Sequence, residues 1–216
     1  FGRSSQPWSG YDYDTLSDDL ASVIEQTGAR DAVIVGFSMG GGEVARYMSR
    51  HKGEWLAKAA LISSVVPFRL KTDDNPLGTE QEAFDKTALA LNEDRAEFFT
   101  EFFHKFFGVG TLGHLISVEL LENMRNVAMQ ASLKATLECL KSFSSTDFRG
   151  DLAHFKVPTL IIHGTEDKTV PIEASAREAA KGIAHSILIE YEGAPHGLFA
   201  THKQRLTNDL LNFIRQ

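Results

Sequence analysis

Apolar positions along the chain change period several times, and each change marks an element. Over 14–27, Leu16, Leu20, Val23 and Ile24 recur at helical spacing with Thr27 on the same face, and Gly28 follows as a stop. Residues 32–37, AVIVGF, are β-branched and apolar at consecutive positions, the pattern of a strand covered on both faces. A small-residue helix is predicted over 39–51, ending near Gly53, and a second buried strand over 57–63. From Pro67 to Gly150 the pattern turns helical and rich in phenylalanine, with loops at KTDDNPLG (71–78) and GVGTLG (108–113). A third buried strand is predicted over 157–164, a helix over 172–182 and a fourth strand over 185–191. A closing amphipathic helix over 203–215 carries Leu206, Leu210, Leu211 and Ile214. Strands alternating with helices predict an α/β fold with a mostly parallel sheet flanked by helices. The helical stretch reads as an inserted cap, so residues 1–66 and 151–216 form the core and 67–150 the cap.

Composition narrows the function classes. The 216 residues suit one domain with a sizeable insertion. Hydrophobic residues at 43% and charged residues at 24% are ordinary for a globular chain. A net charge of −7, with no basic stripe, argues against a nucleic-acid partner. No apolar run approaches ~20 residues, so no transmembrane helix and no membrane partner are expected. The lone Cys139 excludes an internal disulfide and a cysteine-based zinc site, and it fits a reducing, cytoplasmic compartment. Its helical apolar surroundings assign it to packing. The chain opens FGRSSQPWSG, with neither an initiator Met nor a signal pattern, and reads like the middle of a protein.

Chemistry enters where the first strand ends. Gly36-Phe37-Ser38-Met39-Gly40 matches G-x-S-x-G, with an apolar strand before it and a helix after it. Such a turn is so sharp that the serine takes a strained conformation, its hydroxyl exposed at the positive end of the helix. A side chain at position 36 or 40 is expected to collide with neighbouring backbone. A phosphate-binding loop needs a lysine after its glycines, and this chain has Glu43 there, a carboxylate that repels phosphate.

A serine hydroxyl needs a histidine to take its proton and an acid to hold that histidine. In this fold they follow in the order serine, acid, histidine, each after a strand. His51, His104 and His114 fall in helices or the cap, His154 precedes the third strand, and His202 sits on the last helix. His163 ends the third strand, ahead of any serviceable acid, and His185 starts the fourth strand at its wrong end. His196, in EGAPHGLF after the fourth strand, has the right topology. The acid should follow the third strand, where HGTEDKTVP offers Glu166 and Asp167. Phe98, Phe99, Phe102, Phe103, Phe106 and Phe107 recur at helical spacing, either as a lining for small apolar acyl groups or as the cap's own core.

With these segments in hand the chain resembles the α/β-hydrolases, and within them the cofactor-free (non-haem) bacterial haloperoxidases and their esterase relatives. FGRSSQPWSGYDYDTLSDDL, VGFSMGGGEVARY, STDFRGDLAHF, FKVPTLIIHGTEDKTVP and YEGAPHG carry the resemblance along the whole length, cap included. It implies Ser38 as nucleophile, His196 as base, Asp167 rather than Glu166 as the acid, and the backbone N–H of Met39 as one oxyanion donor. It further implies acyl transfer at serine from a small ester or carboxylic acid. Water completes hydrolysis, and hydrogen peroxide gives a peracid that oxidises halide. No metal, haem or flavin cofactor is implied. A lactonase or an aryl esterase of the same fold, or a non-catalytic binding protein or impaired fragment, are the other readings. Members of the family have four strands and a helix ahead of the segment matching FGRSS, one leading to a second oxyanion donor. The fold is thus expected to be N-terminally incomplete, with 32–37 as an edge prone to self-association into a homo-oligomer. Activity is expected to be low, by about 10²–10³ for one lost donor.

Overall fold

The computed structural model describes residues 2–110 and 116–216. Four parallel strands form one sheet in the order β1-β2-β3-β4: β1 Ala32–Phe37, β2 Leu56–Ile62, β3 Thr159–Gly164 and β4 Ser186–Tyr191. Helix α1 (Tyr13–Thr27) precedes β1, and α2 (Met39–Arg50) joins it to β2. Asp12 caps α1 by accepting from the Thr15 N–H at 2.9 Å, and Gly28 ends it in the left-handed region at φ 64°.

The two central strands alternate between layers. On β2 and β3, Ala59, Leu61 and Ile161 face a core built with α1 and α2, whereas Ala60, Ile62, Leu160 and Ile162 face Leu198, Leu206 and Phe213 on the other side. Burial on both faces explains why these strands read as unbroken apolar runs. β1 is an edge of this sheet, and Val35 is 45% exposed.

Helices α3 (Gln81–Glu93), α4 (Arg95–Phe106), α5 (Val118–Met129) and α6 (Leu133–Ser145) fall between β2 and β3. They share an apolar cluster that includes Phe84, Phe99, Phe103, Phe107 and Leu140. Asp94, Ser117 and Ser132 cap α4, α5 and α6 through backbone N–H groups. Residues 71–78 form the expected loop. Of 108–113 only 108–110 are described, and His114 lies outside the described residues.

One expectation changes, and one element is new. The helix foreseen over 172–182 is a 3₁₀ turn, Ile172–Ala174, then α7 (Ala176–Gly182), because Ser175 leaves helical geometry and its hydroxyl donates to the Pro171 carbonyl at 2.7 Å. A single-turn helix, α8 (Leu198–Thr201), also precedes α9 (Lys203–Arg215).

Candidate active site

Ser38 stands between β1 and α2 with φ 51° and ψ −119°, a conformation that costs a non-glycine residue free energy. The neighbouring backbone holds it there. The Ser38 N–H donates to the Ile62 carbonyl at 2.9 Å, and its own carbonyl accepts from Gly41 at 3.0 Å and Val65 at 3.2 Å. A Cβ at Gly36 would lie 2.6 Å from the Gly40 carbonyl oxygen, so no side chain fits there. Gly40 departs from the expectation: a Cβ there meets nothing within 4 Å. The crowding belongs instead to Gly41, whose Cβ would lie 2.0 Å from Ser64 Oγ, and to Gly42, 2.5 Å from Phe148. The helix packs against the core through its second and third glycines, and the last glycine of the motif faces open space. Met39 heads α2, where the first N–H groups have no partner within the helix.

His196 follows β4 and is 1% exposed. Its Nε2 lies 2.9 Å from Ser38 Oγ, and its Nδ1 lies 2.6 Å from Asp167 Oδ2. The ring is flanked by Phe37 at 5.2 Å and Phe106 at 4.8 Å between centroids. The loop is tied to α4, since the Gly197 N–H donates to the Phe106 carbonyl at 2.8 Å. Burial lowers the His196 pKa from its ordinary value, against the raising effect of Asp167. Burial thus favours the neutral imidazole, the form that can accept a proton.

Asp167 is buried and fully engaged. Its Oδ1 accepts from the Thr169 N–H at 2.9 Å and the Val170 N–H at 2.7 Å. Burial opposes its ionisation, but hydrogen bonds to His163 and His196 outweigh it and hold the carboxyl well below the usual carboxylate range. Glu166, the adjacent candidate, is exposed, and its backbone N–H donates to the Ala194 carbonyl at 3.1 Å.

His163 is the residue that sequence reasoning set aside. It is fully buried, with Nε2 2.8 Å from the Val170 carbonyl and 3.1 Å from Asp167 Oδ2. The carboxylate is thus held by two imidazoles. The available signal was its spacing, four residues before Asp167 across a tight turn. Of the other histidines, His51 pairs with Asp18 at 2.7 Å, and His104, His154 and His185 lie outside this cluster.

The six phenylalanines divide between the two readings. Phe99, Phe103 and Phe107 are buried in the cluster of α3–α6, Phe106 flanks His196, and Phe98 and Phe102 line a cavity. Cys139 is partly buried, and burial pushes its thiol up to about 11, which suits packing. Among the described residues no group of three His, Cys, Asp or Glu side chains is placed to hold a metal ion, and no helix is long and apolar enough to cross a membrane.

Comparison with known proteins places this geometry in a family. The alpha/beta hydrolase fold family matches residues 1–203. A non-heme chloroperoxidase of Streptomyces lividans is 41% identical over 215 residues, 99% of this chain and 78% of that protein. A bifunctional esterase/perhydrolase of Acinetobacter calcoaceticus is 40% identical over 215 residues, again 99% and 78% of the two chains. The crystal structure of a bromoperoxidase from Bacillus anthracis superposes with a TM-score of 0.96 at 41% identity, covering 100% of this chain and 79% of that one. Matched by the family model over residues 1–203 and by relatives about 40% identical over nearly its whole length, this protein belongs to the α/β hydrolase fold family.

Proposed function

We propose that the chain is a serine esterase that acts on small carboxylic esters through an acyl-enzyme, with perhydrolysis as a side reaction. The observation that carries the reading is the relay from Ser38 Oγ to His196 Nε2, 2.9 Å, and from His196 Nδ1 to Asp167 Oδ2, 2.6 Å. His196 takes the Ser38 proton as Oγ attacks the ester carbonyl, and Asp167 holds the tautomer that leaves Nε2 free to do so. The Met39 N–H, at the positive end of α2, stabilises the oxyanion. The tetrahedral species collapses, the alcohol leaves with the proton from His196, and Ser38 stays acylated. Water, deprotonated by His196, releases the acid. Hydrogen peroxide in its place releases a peracid, which can oxidise a halide ion. Relatives named non-heme chloroperoxidase and esterase/perhydrolase support the peroxide branch. The lone thiol of Cys139 supports a cytoplasmic setting.

The test is p-nitrophenyl acetate hydrolysis by the chain and by Ser38→Ala, beside labelling with a fluorophosphonate probe. Loss of at least about 10³-fold in kcat/KM, and of labelling, is expected. Unchanged hydrolysis by Ser38→Ala overturns the reading.

A further inference from the structure

A cavity of about 370 Å³ lies between α3, α4, α6 and the loop that follows Asp167. Ser38 and His196 are not among its lining residues. Phe84, Phe102 and Phe143 supply apolar wall, while Arg69, Lys105 and Lys168 bring three positive charges against the single carboxylate of Glu101. The two lysines and Glu101 are exposed, at the rim.

Arg69 is the unusual member. It is 4% exposed, yet it forms no ion pair among the described residues. Its Nη2 donates to the Thr169 carbonyl at 3.0 Å and to Thr79 Oγ1 at 3.3 Å. Its Nε and Nη1 are buried without a hydrogen-bond partner among the described residues. A buried guanidinium with so few acceptors is costly, and each nearby negative charge offsets part of that cost. Asp167 is near enough to be felt electrostatically, but both its oxygens are already engaged by His163, His196, Thr169 and Val170. Arg69 is also a lining residue of the cavity, so an anion bound there would add a second counter-charge to that of Asp167.

We propose that this cavity binds an organic carboxylate with a small apolar body, its charge paired with Arg69 and its body against Phe84, Phe102 and Phe143. A planar guanidinium matches a carboxylate's geometry. The volume falls in the range of small-ligand sites, and the aromatic wall selects an apolar body over a naked ion. A dianion such as phosphate gains nothing from that wall and costs more to desolvate. The inference rests on the esterase reading for its biological sense, since ester cleavage at Ser38 releases an acid of this class.

The test is binding without turnover. Sodium hexanoate, hexan-1-ol and inorganic phosphate are titrated calorimetrically into the Ser38→Ala chain, alone and with Arg69→Met, Arg69→Lys or the cavity-filling Thr87→Phe. Saturable hexanoate binding is expected, about tenfold or more tighter than hexanol and phosphate. Arg69→Met and Thr87→Phe should each weaken it about tenfold or more, and Arg69→Lys less. Should Arg69→Met fail to fold, the hexanoate and hexanol comparison and Thr87→Phe still decide. Equal affinity for hexanoate and hexanol, unchanged binding in Arg69→Met or Thr87→Phe, or no hexanoate binding below about 10 mM overturns the proposal. These outcomes are read without hydrolysis, so they are separate from failure of the Ser38 assay.

Discussion

Replacing Asp167 by Asn should leave the chain folded and cost ester hydrolysis about 10⁴-fold, or about 5.5 kcal/mol of activation free energy. The magnitude follows from how the carboxylate is used. Oδ1 accepts two backbone N–H groups, Thr169 at 2.9 Å and Val170 at 2.7 Å, whereas Oδ2 faces His196 at 2.6 Å and His163 at 3.1 Å. Asparagine keeps one oxygen and gains one NH₂. With the oxygen on the Oδ1 side both loop bonds survive. Turned round, the NH₂ would oppose two buried donors, at about 1–3 kcal/mol for each left unsatisfied. The oxygen therefore stays with the loop, and the NH₂ donates to His196 Nδ1. That forces the imidazole proton onto Nε2, the atom 2.9 Å from Ser38 Oγ, and a nitrogen that already carries a proton cannot take another. His163 keeps the Val170 carbonyl at 2.8 Å, so its place is secure. The assay is kcat/KM for p-nitrophenyl acetate, with thermal unfolding measured on the same preparations. A variant within tenfold of the parent refutes the tautomer argument, and so does a loss of rate explained wholly by unfolding.

Three further outcomes follow from particular contacts. Gly41→Ala drives a Cβ to 2.0 Å from Ser64 Oγ and should cost about 1–3 kcal/mol. Gly40→Ala meets nothing within 4 Å and, being helical, should be neutral or stabilising by up to about 1 kcal/mol; equal urea-unfolding midpoints for the two variants contradict this. The Glu43 carboxyl is pushed up to about 7 by burial, with Asp19 adding to it. Its folded value lies above its unfolded one, so its favourable contribution is complete below the unfolded value and is lost as pH rises through about 7. Glu43→Gln should remove that slope and stabilise the chain above that pH by about 1–2 kcal/mol, allowing for partial exposure, as urea unfolding on either side of it will show. Because burial lowers the His196 pKa, the acid limb of kcat/KM should fall below the ordinary histidine value of about 6.5. A limb at or above that value contradicts a buried, neutral base.

Local pattern was enough for the strands and for most of the candidate site. β2 and β3 are covered on both faces, so burial leaves an unbroken apolar run that any window detects. Ser38 is legible because a strand-to-helix turn this sharp leaves a glycine signature, and His196 because the order of strands restricts which loops reach the serine. Adjacent loop residues are another matter. Glu166 and Asp167 have the same chemistry, and only the turn after β3 sends one outward and the other onto two imidazoles. The glycines show the same division, for spacing marks Gly40 while packing requires Gly41 and Gly42. Helical spacing put six phenylalanines on related faces, but which ring meets His196 depends on how α4 lies against the loop after β4. Arg69 went unread because burial leaves no mark on a sequence, and His163 was set aside because its four-residue spacing to Asp167 gains meaning only once the turn after β3 brings the two together. Periodicity and turn chemistry act between neighbours in the chain, so sequence by itself determines most of the elements and the order in which Ser38, Asp167 and His196 follow them. Which side chain faces which, and which charge is left unpaired, is set by contacts between residues as far apart as Arg69 and Thr169, and only the tertiary structure decides it.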